Sequence, residues 1–355
     1  IASRLPRRQF LPMVYGFFIF NLLLFYGAFQ VEAWREVTAR AFFIWASVFN
    51  LFVVSVFWSF MVDIFSSAQG KRLFGLIAAG GTAGAITGPS LTALLVVPIG
   101  PMNLLLISAL LLAGAVLCIR QLGVWSAQQA PAAGAARVPE ALGGSVLAGL
   151  TLILRSPYLL GVALFMLLFT TMSTFLYFEQ AHIVAQSFDN PAERTRFFAL
   201  LDLAVNTLTV VVQVLVTSRL LSRLGVAGSL AMVPLLSALG FALLALTPVL
   251  AALVGFQVLR RAGDYAITRP AREMLYTVVD REAKYKAKNA LDTVVYRGGD
   301  ALAGWLFAGL KSLGLGLAAI AWIAVPLALA WAAVALWLGR RQAALSNNPL
   351  SKKSS

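Results

Sequence analysis

The segment TVVDREAKYKAKNALDTVVYRGGDALAGW, Thr277 to Trp305, carries the ionisable side chains with the clearest chemical potential. Asp292, Arg297 and Asp300 stand where it runs into apolar sequence. Arg297 is five residues from Asp292 and three from Asp300, so a helix brings it closest to Asp300. The planar guanidinium fork suits a phosphate or carboxylate, and Gly298 and Gly299 let a substrate or a neighbouring helix approach the backbone. The chemistry is therefore anion anchoring, or else a structural ion pair neutralised by the two aspartates. Glu179 and His182, at i and i+3, share a helix face and can bind or release a proton. The alternative is a helix end at the headgroup level with both groups solvated. Asp202, Asn206 and Gln213 form a polar stripe on an apolar helix. It faces either a cavity or a neighbouring helix held by hydrogen bonds. With one histidine, one cysteine and no nucleophile elbow, no metal site, cofactor or catalytic constellation is expected, so an enzyme is the weaker class.

These groups sit in a chain of 355 residues that is 60% hydrophobic and only 12% charged, with a mean hydropathy of +0.85. A soluble domain carries about twice that share of charge, so the composition reads as an integral membrane protein. Apolar stretches of about 20 residues match the roughly 30 Å of hydrocarbon that a helix must cross. No alternating pattern suggests a β-barrel. The net charge of +14 resides in short loops, which excludes a basic nucleic-acid-binding domain and points to membrane topology. Cys118 lies in an apolar stretch and reads as a packing residue.

The expected architecture is all-α and polytopic. Ten spans are read at residues 10–30, 41–65, 73–97, 102–119, 157–186, 197–221, 227–246, 249–269, 287–310 and 315–338. They divide into an N-terminal bundle over 1–119, a cytoplasmic linker and surface helix over 120–156, a six-helix bundle over 157–338 and a cytoplasmic tail over 339–355. The Ala/Gly/Pro-rich linker around Pro131 to Pro139 separates the bundles, and VLAGLTLILRSP reads as a short amphipathic helix ending at Pro157. The chain opens on a loop-like IASRLPRR, so earlier helices are expected to precede Ile1, making ten present of twelve. The Lys/Arg bias puts the linker and both ends of the chain on the cytoplasmic side of an inner membrane.

That face gathers a candidate gate. Asp63 precedes Lys71 by the same eight residues that separate Asp280 from Lys288. Arg4, Arg7 and Arg8 on one loop, Arg72 beside Lys71, and Arg219 and Arg223 on another complete it. Arg260, Arg261, Asp264, Arg269, Arg272 and Glu273 crowd the end of the eighth span and read mostly as solvated groups or neighbours of lipid phosphate, with about one in three lining an inner vestibule. Parallel repeats are also legible, since Gly80 and Gly81 follow Asp63 about as Gly298 and Gly299 follow Asp280.

The SRLPRR loop, the central linker and the helix count resemble the major facilitator superfamily. FWSFMVDIFSSAQGKRLFGLIAAGGTAGAITGP and RPAREMLYTVVDREAKYKAKNALDTVVYRGGDALAG resemble bacterial relatives of the ATP/ADP translocases. The resemblance implies a monomeric two-bundle secondary transporter in the lipid bilayer, carrying an organic anion, a nucleotide among the candidates. Residues 73–97 depart from the exchangers in having no ionisable side chain beyond the start of the span. The alternative function is a proton-coupled exporter of a drug-like or metabolite molecule, with Asp202 or Glu179 taking the proton.

Overall fold

A computed structural model describes residues 7–64, 67–129, 146–279 and 281–346. Among the described residues there is no strand, and helix follows helix. Lipid offers no partner to an open backbone amide, so a chain this apolar satisfies its N–H and C=O groups within helices. The chain is an all-helical polytopic membrane protein. Among the described residues eight helices are long and apolar enough to cross a bilayer: α1 (Arg7–Gln30), α2 (Arg35–Ile64), α3 (Ser67–Ile99), α4 (Leu104–Gln129), and, after the short α5 (Val146–Arg155), α6 (Pro157–Ser187), α7 (Pro191–Leu215), α8 (Thr217–Leu246) and finally the C-terminal Leu317–Ser346.

The eighth and ninth expected spans take a different form. α9 (Leu250–Gly263) passes through a π-helical turn, Asp264–Thr268, into α10 (Arg269–Leu275). After a 3-10 turn at Tyr276–Val278, α11 (Arg281–Ala290) passes through a second π-turn, Leu291–Val295, into α12 (Tyr296–Ser312). The last helix is α13 (Leu317–Ser346). The first π-turn has a readable cause. Pro270 has no N–H and its ring crowds the carbonyl one turn back, at Ala266. The Thr217 hydroxyl donates to that carbonyl at 2.8 Å, and the Gln213 amide donates to the carbonyl of Tyr265 at 3.4 Å.

The chain divides into two compact units, Ile1–Arg137 with Asn190–Leu200, and Val138–Asp189 with Leu201–Ser355. In the first, α1 packs against α2 and α4 around Tyr15, Phe60, Met61, Val116 and Ile119. Phe18 meets Trp45, Phe49 and Phe52 of α2, which adds aromatic contacts along the same seam. In the second, α13 lies along α8 and α6, α12 lies on α6, and α9 on α8. Trp331 is fully buried against Phe165 and Phe169 of α6. Two glycines set the spacing: a Cβ on Gly339 would enter the backbone of Ala227, and one on Gly299 would strike Thr170 and Leu167.

Several boundaries differ from the sequence reading. α4 runs to Gln129 and α13 to Ser346, beyond the positions 119 and 338 expected from apolar content, because a helix satisfies its own backbone bonds whatever its side chains are. Arg219 and Arg223, expected on a loop, lie in α8, which breaks just after them at Gly225, whose φ of 64° favours glycine. The amphipathic segment forms α5, with Ile153 buried and Arg155 exposed, and Ser156 caps α6 ahead of Pro157. The linker around Pro131 to Pro139 lies outside the described residues.

Candidate functional site

α6 and α9 of the second unit face each other across a polar seam within an apolar bundle. On α6, Ser173 and Gln180 are two turns apart and share a face; on α9, Gln257 and Arg260 are one turn apart. The Arg260 guanidinium donates to the Ser173 hydroxyl at 3.0 Å, and the Gln257 amide donates to the Gln180 carbonyl. Arg260 is 6% exposed and Gln257 5%. The seam continues into the π-turn, where buried Asp264 accepts from Arg269 at 3.4 Å and Arg269 lies over the Tyr265 ring at 4.3 Å. Arg272 reaches back to the Met166 sulfur of α6 at 2.9 Å.

The seam is incompletely satisfied. Among the described residues Arg260 Nε, Gln257 Oε1 and Thr268 Oγ1 are buried with no hydrogen-bond partner, as is Glu179 Oε1 on the adjoining part of α6. Each such group costs about 1–3 kcal/mol, more when charged. An apolar bundle that retains these groups together has polar capacity beyond what its own packing uses.

Arg260 and Asp264 are the members of this cluster that are buried rather than solvated. The helix does not end at 269 but continues through the π-turn to Leu275, and Arg260 lies in mid-helix, covered by neighbouring side chains. Arg261, the next residue, points to α7 and donates to Asp202 at 2.6 Å. With Gln213 on the Tyr265 carbonyl, the polar stripe of α7 is therefore turned toward α9 and its π-turn. Asn206 also makes an interaction.

Glu179 is 2% exposed, whereas His182 is exposed and within 3.0 Å of the Gln186 amide, so the structure does not pair them. On α12, Asp300 accepts from Thr174 at 3.4 Å. Arg297 and Asp292 are exposed, and neither makes an ion pair or hydrogen bond among the described residues, so Arg297 does not close on Asp300 as the spacing suggested. Gly299, Ala303 and Phe307 are the buried side of α12, and Arg297 lies off that side.

Of the gate residues, Arg4 and Asp280 lie outside the described residues, as do the side chains of Arg7, Arg8, Asp63, Lys71 and Arg72. Arg219 and Arg223 are exposed, and Arg219 donates to the Leu215 carbonyl of its own turn at 2.8 Å. Lys288 pairs with Glu273 at 2.6 Å and lies over the Tyr276 ring at 5.8 Å. Burial, and next the nearby carboxylate of Asp292, push the Tyr276 hydroxyl above its ordinary range.

Elsewhere, the first unit holds a cleft of about 560 Å³ lined by residues including Asn21, Phe25, Trp34 and Thr38. The Asn21 amide donates to the Phe17 carbonyl at 2.8 Å, which leaves the cleft little to hold a charged solute. No protein-family model matches the chain, and no curated protein is significantly similar to it.

Proposed function

We propose that the protein is a secondary transporter of the major facilitator type, moving an organic anion across an inner membrane by alternating access between two helical bundles. The observation that carries this reading is Arg260, a guanidinium buried among apolar helices with Nε unpartnered. Arginine is costly in that position and is retained where a ligand or pathway uses it. Its helix carries a π-turn that begins four residues on, at Asp264, and such turns are frequent at functional sites. Exposed Arg269 and half-buried Arg272, 9 and 12 residues further on, add positive charge along the same helix. A nucleotide remains the candidate that the sequence resemblance favours.

The test is a thermal-shift screen of the purified chain against nucleotides, phosphorylated metabolites and carboxylates. A ligand that prefers the folded protein stabilises it by about 2.7 kcal/mol at 100 times its Kd. The expected result is stabilisation by one anion class that Arg260→Ala removes and Arg260→Lys weakens, since a point charge cannot reproduce the fork. Equal stabilisation of wild type and Arg260→Ala would refute the site, and no response to any anion class would refute the substrate class.

A further inference from the structure

The second unit holds two acidic side chains that the sequence offers equally as proton carriers, and their surroundings differ sharply. Asp202 is paired with Arg261 at 2.6 Å, so a proton placed on it would break that pair. Glu179 has no ion pair among the described residues, is 2% exposed, and leaves Oε1 without a hydrogen-bond partner. Its neighbours along α6, Phe175, Leu176 and Ile183, are buried and apolar, and Phe175 packs on Phe307 of α12 at 5.5 Å.

Ionisable groups on the surrounding elements are otherwise engaged or remain outside ion-pair distance of Glu179. On its own helix, Tyr158 donates to the Leu275 carbonyl and exposed His182 meets Gln186. α12 carries Tyr296, Arg297, Asp300 and Lys311, and α13 carries Arg340 and Arg341. α9 carries Arg260 and Arg261, held by Ser173 and Asp202; α5 carries exposed Arg155 and the second π-turn exposed Asp292. An uncompensated carboxylate is among the costliest groups to bury, whereas the neutral acid in the same place is not. Two carboxyl groups in such different surroundings are suited to different tasks.

We propose that Glu179 is the proton-binding site of the carrier, and that its loading and unloading couple proton movement to transport. One O–H bond forms at Oε1 with a proton taken from water on one side of the membrane. The same bond breaks to return the proton to water on the other side, leaving the carboxylate as it began. Asp202 keeps its charge throughout as the partner of Arg261. The proposal rests on the carrier reading, but its first test does not.

That test is infrared spectroscopy of the full chain in lipid nanodiscs across a pH titration, read at the C=O stretch of a protonated carboxyl group. The expected result is a band at neutral pH that Glu179→Gln removes and Asp202→Asn retains. A wild-type protein without the band, a band that survives Glu179→Gln, or one lost in Asp202→Asn would overturn the assignment. The second test places one spin label on an exposed site of each unit, in a Cys118→Ser background. The distance distribution should change with pH in wild type and become independent of pH in Glu179→Gln. A wild-type distribution that ignores pH, or a Glu179→Gln protein that still follows it, would overturn the coupling. The infrared band belongs to the side chain, so it stands or falls separately from the anion screen.

Discussion

Arg260 and Arg261 are adjacent in sequence and should respond oppositely to the same substitution. Arg260→Met removes a hydrogen bond to Ser173, worth about 1.5–3 kcal/mol for a charged donor. It also removes an unpartnered buried N–H and the dehydration of a guanidinium, which together cost several kcal/mol. Asp264 keeps Arg269 in either case. The balance is a gain of about 1–2 kcal/mol, or a midpoint higher by roughly 2–8 °C for a unit of this size. Arg261→Met instead strands Asp202. The pair is 27% and 45% exposed at the side chains, so its loss falls between the exposed and buried cases, at about 1–2 kcal/mol. The assay is thermal unfolding in one detergent without added anion, followed by tryptophan fluorescence. A lowered midpoint in Arg260→Met, comparable with that of Arg261→Met, would show that Arg260 is structural and would refute the reasoning.

Further substitutions test the packing and the contacts around Tyr276. Gly299→Val should destabilise by about 2–4 kcal/mol, because its side chain would drive α12 off Thr170 and Leu167; an unchanged midpoint would contradict the close approach. Tyr276, with its hydroxyl favoured in the neutral form on folding, should lose stability as pH rises above its unfolded value of about 10, and Tyr276→Phe should reduce that alkaline loss. Lys288→Ala should cost about 0.5–1.5 kcal/mol and Glu273→Ala should not add to it, a double-mutant cycle that fails if the two effects sum.

Hydropathy located most of the helices because the bilayer reads length and apolar content directly, and α6, with its run of Leu, Phe and Met, could hardly do otherwise. The two π-turns left no comparable signal. A π-turn changes the register of one turn without changing composition, and only Pro270 hinted at the first. The arginine-rich cluster therefore read mostly as solvated, whereas Arg260 is buried against Ser173 of α6. The Arg260–Arg261 divergence was equally illegible, since adjacent residues point about 100° apart and the α6 and α7 partners are distant in sequence. Glu179 was identified as a candidate from its type and place, but its separation from His182 depends on which side of α6 is covered. Asp300 found Thr174 rather than Arg297, because spacing along one helix says nothing of the helix beside it.

The central claim is that a buried arginine binds the anion that a carrier moves. Its most direct test is counterflow in proteoliposomes loaded with the anion that gives the largest thermal shift, with labelled anion outside. Transient accumulation of label is expected in wild type, strongly reduced in Arg260→Lys and absent in Arg260→Met even though that variant is at least as stable. Accumulation in Arg260→Met equal to wild type would contradict the site, and its absence from correctly folded wild-type protein would contradict the carrier.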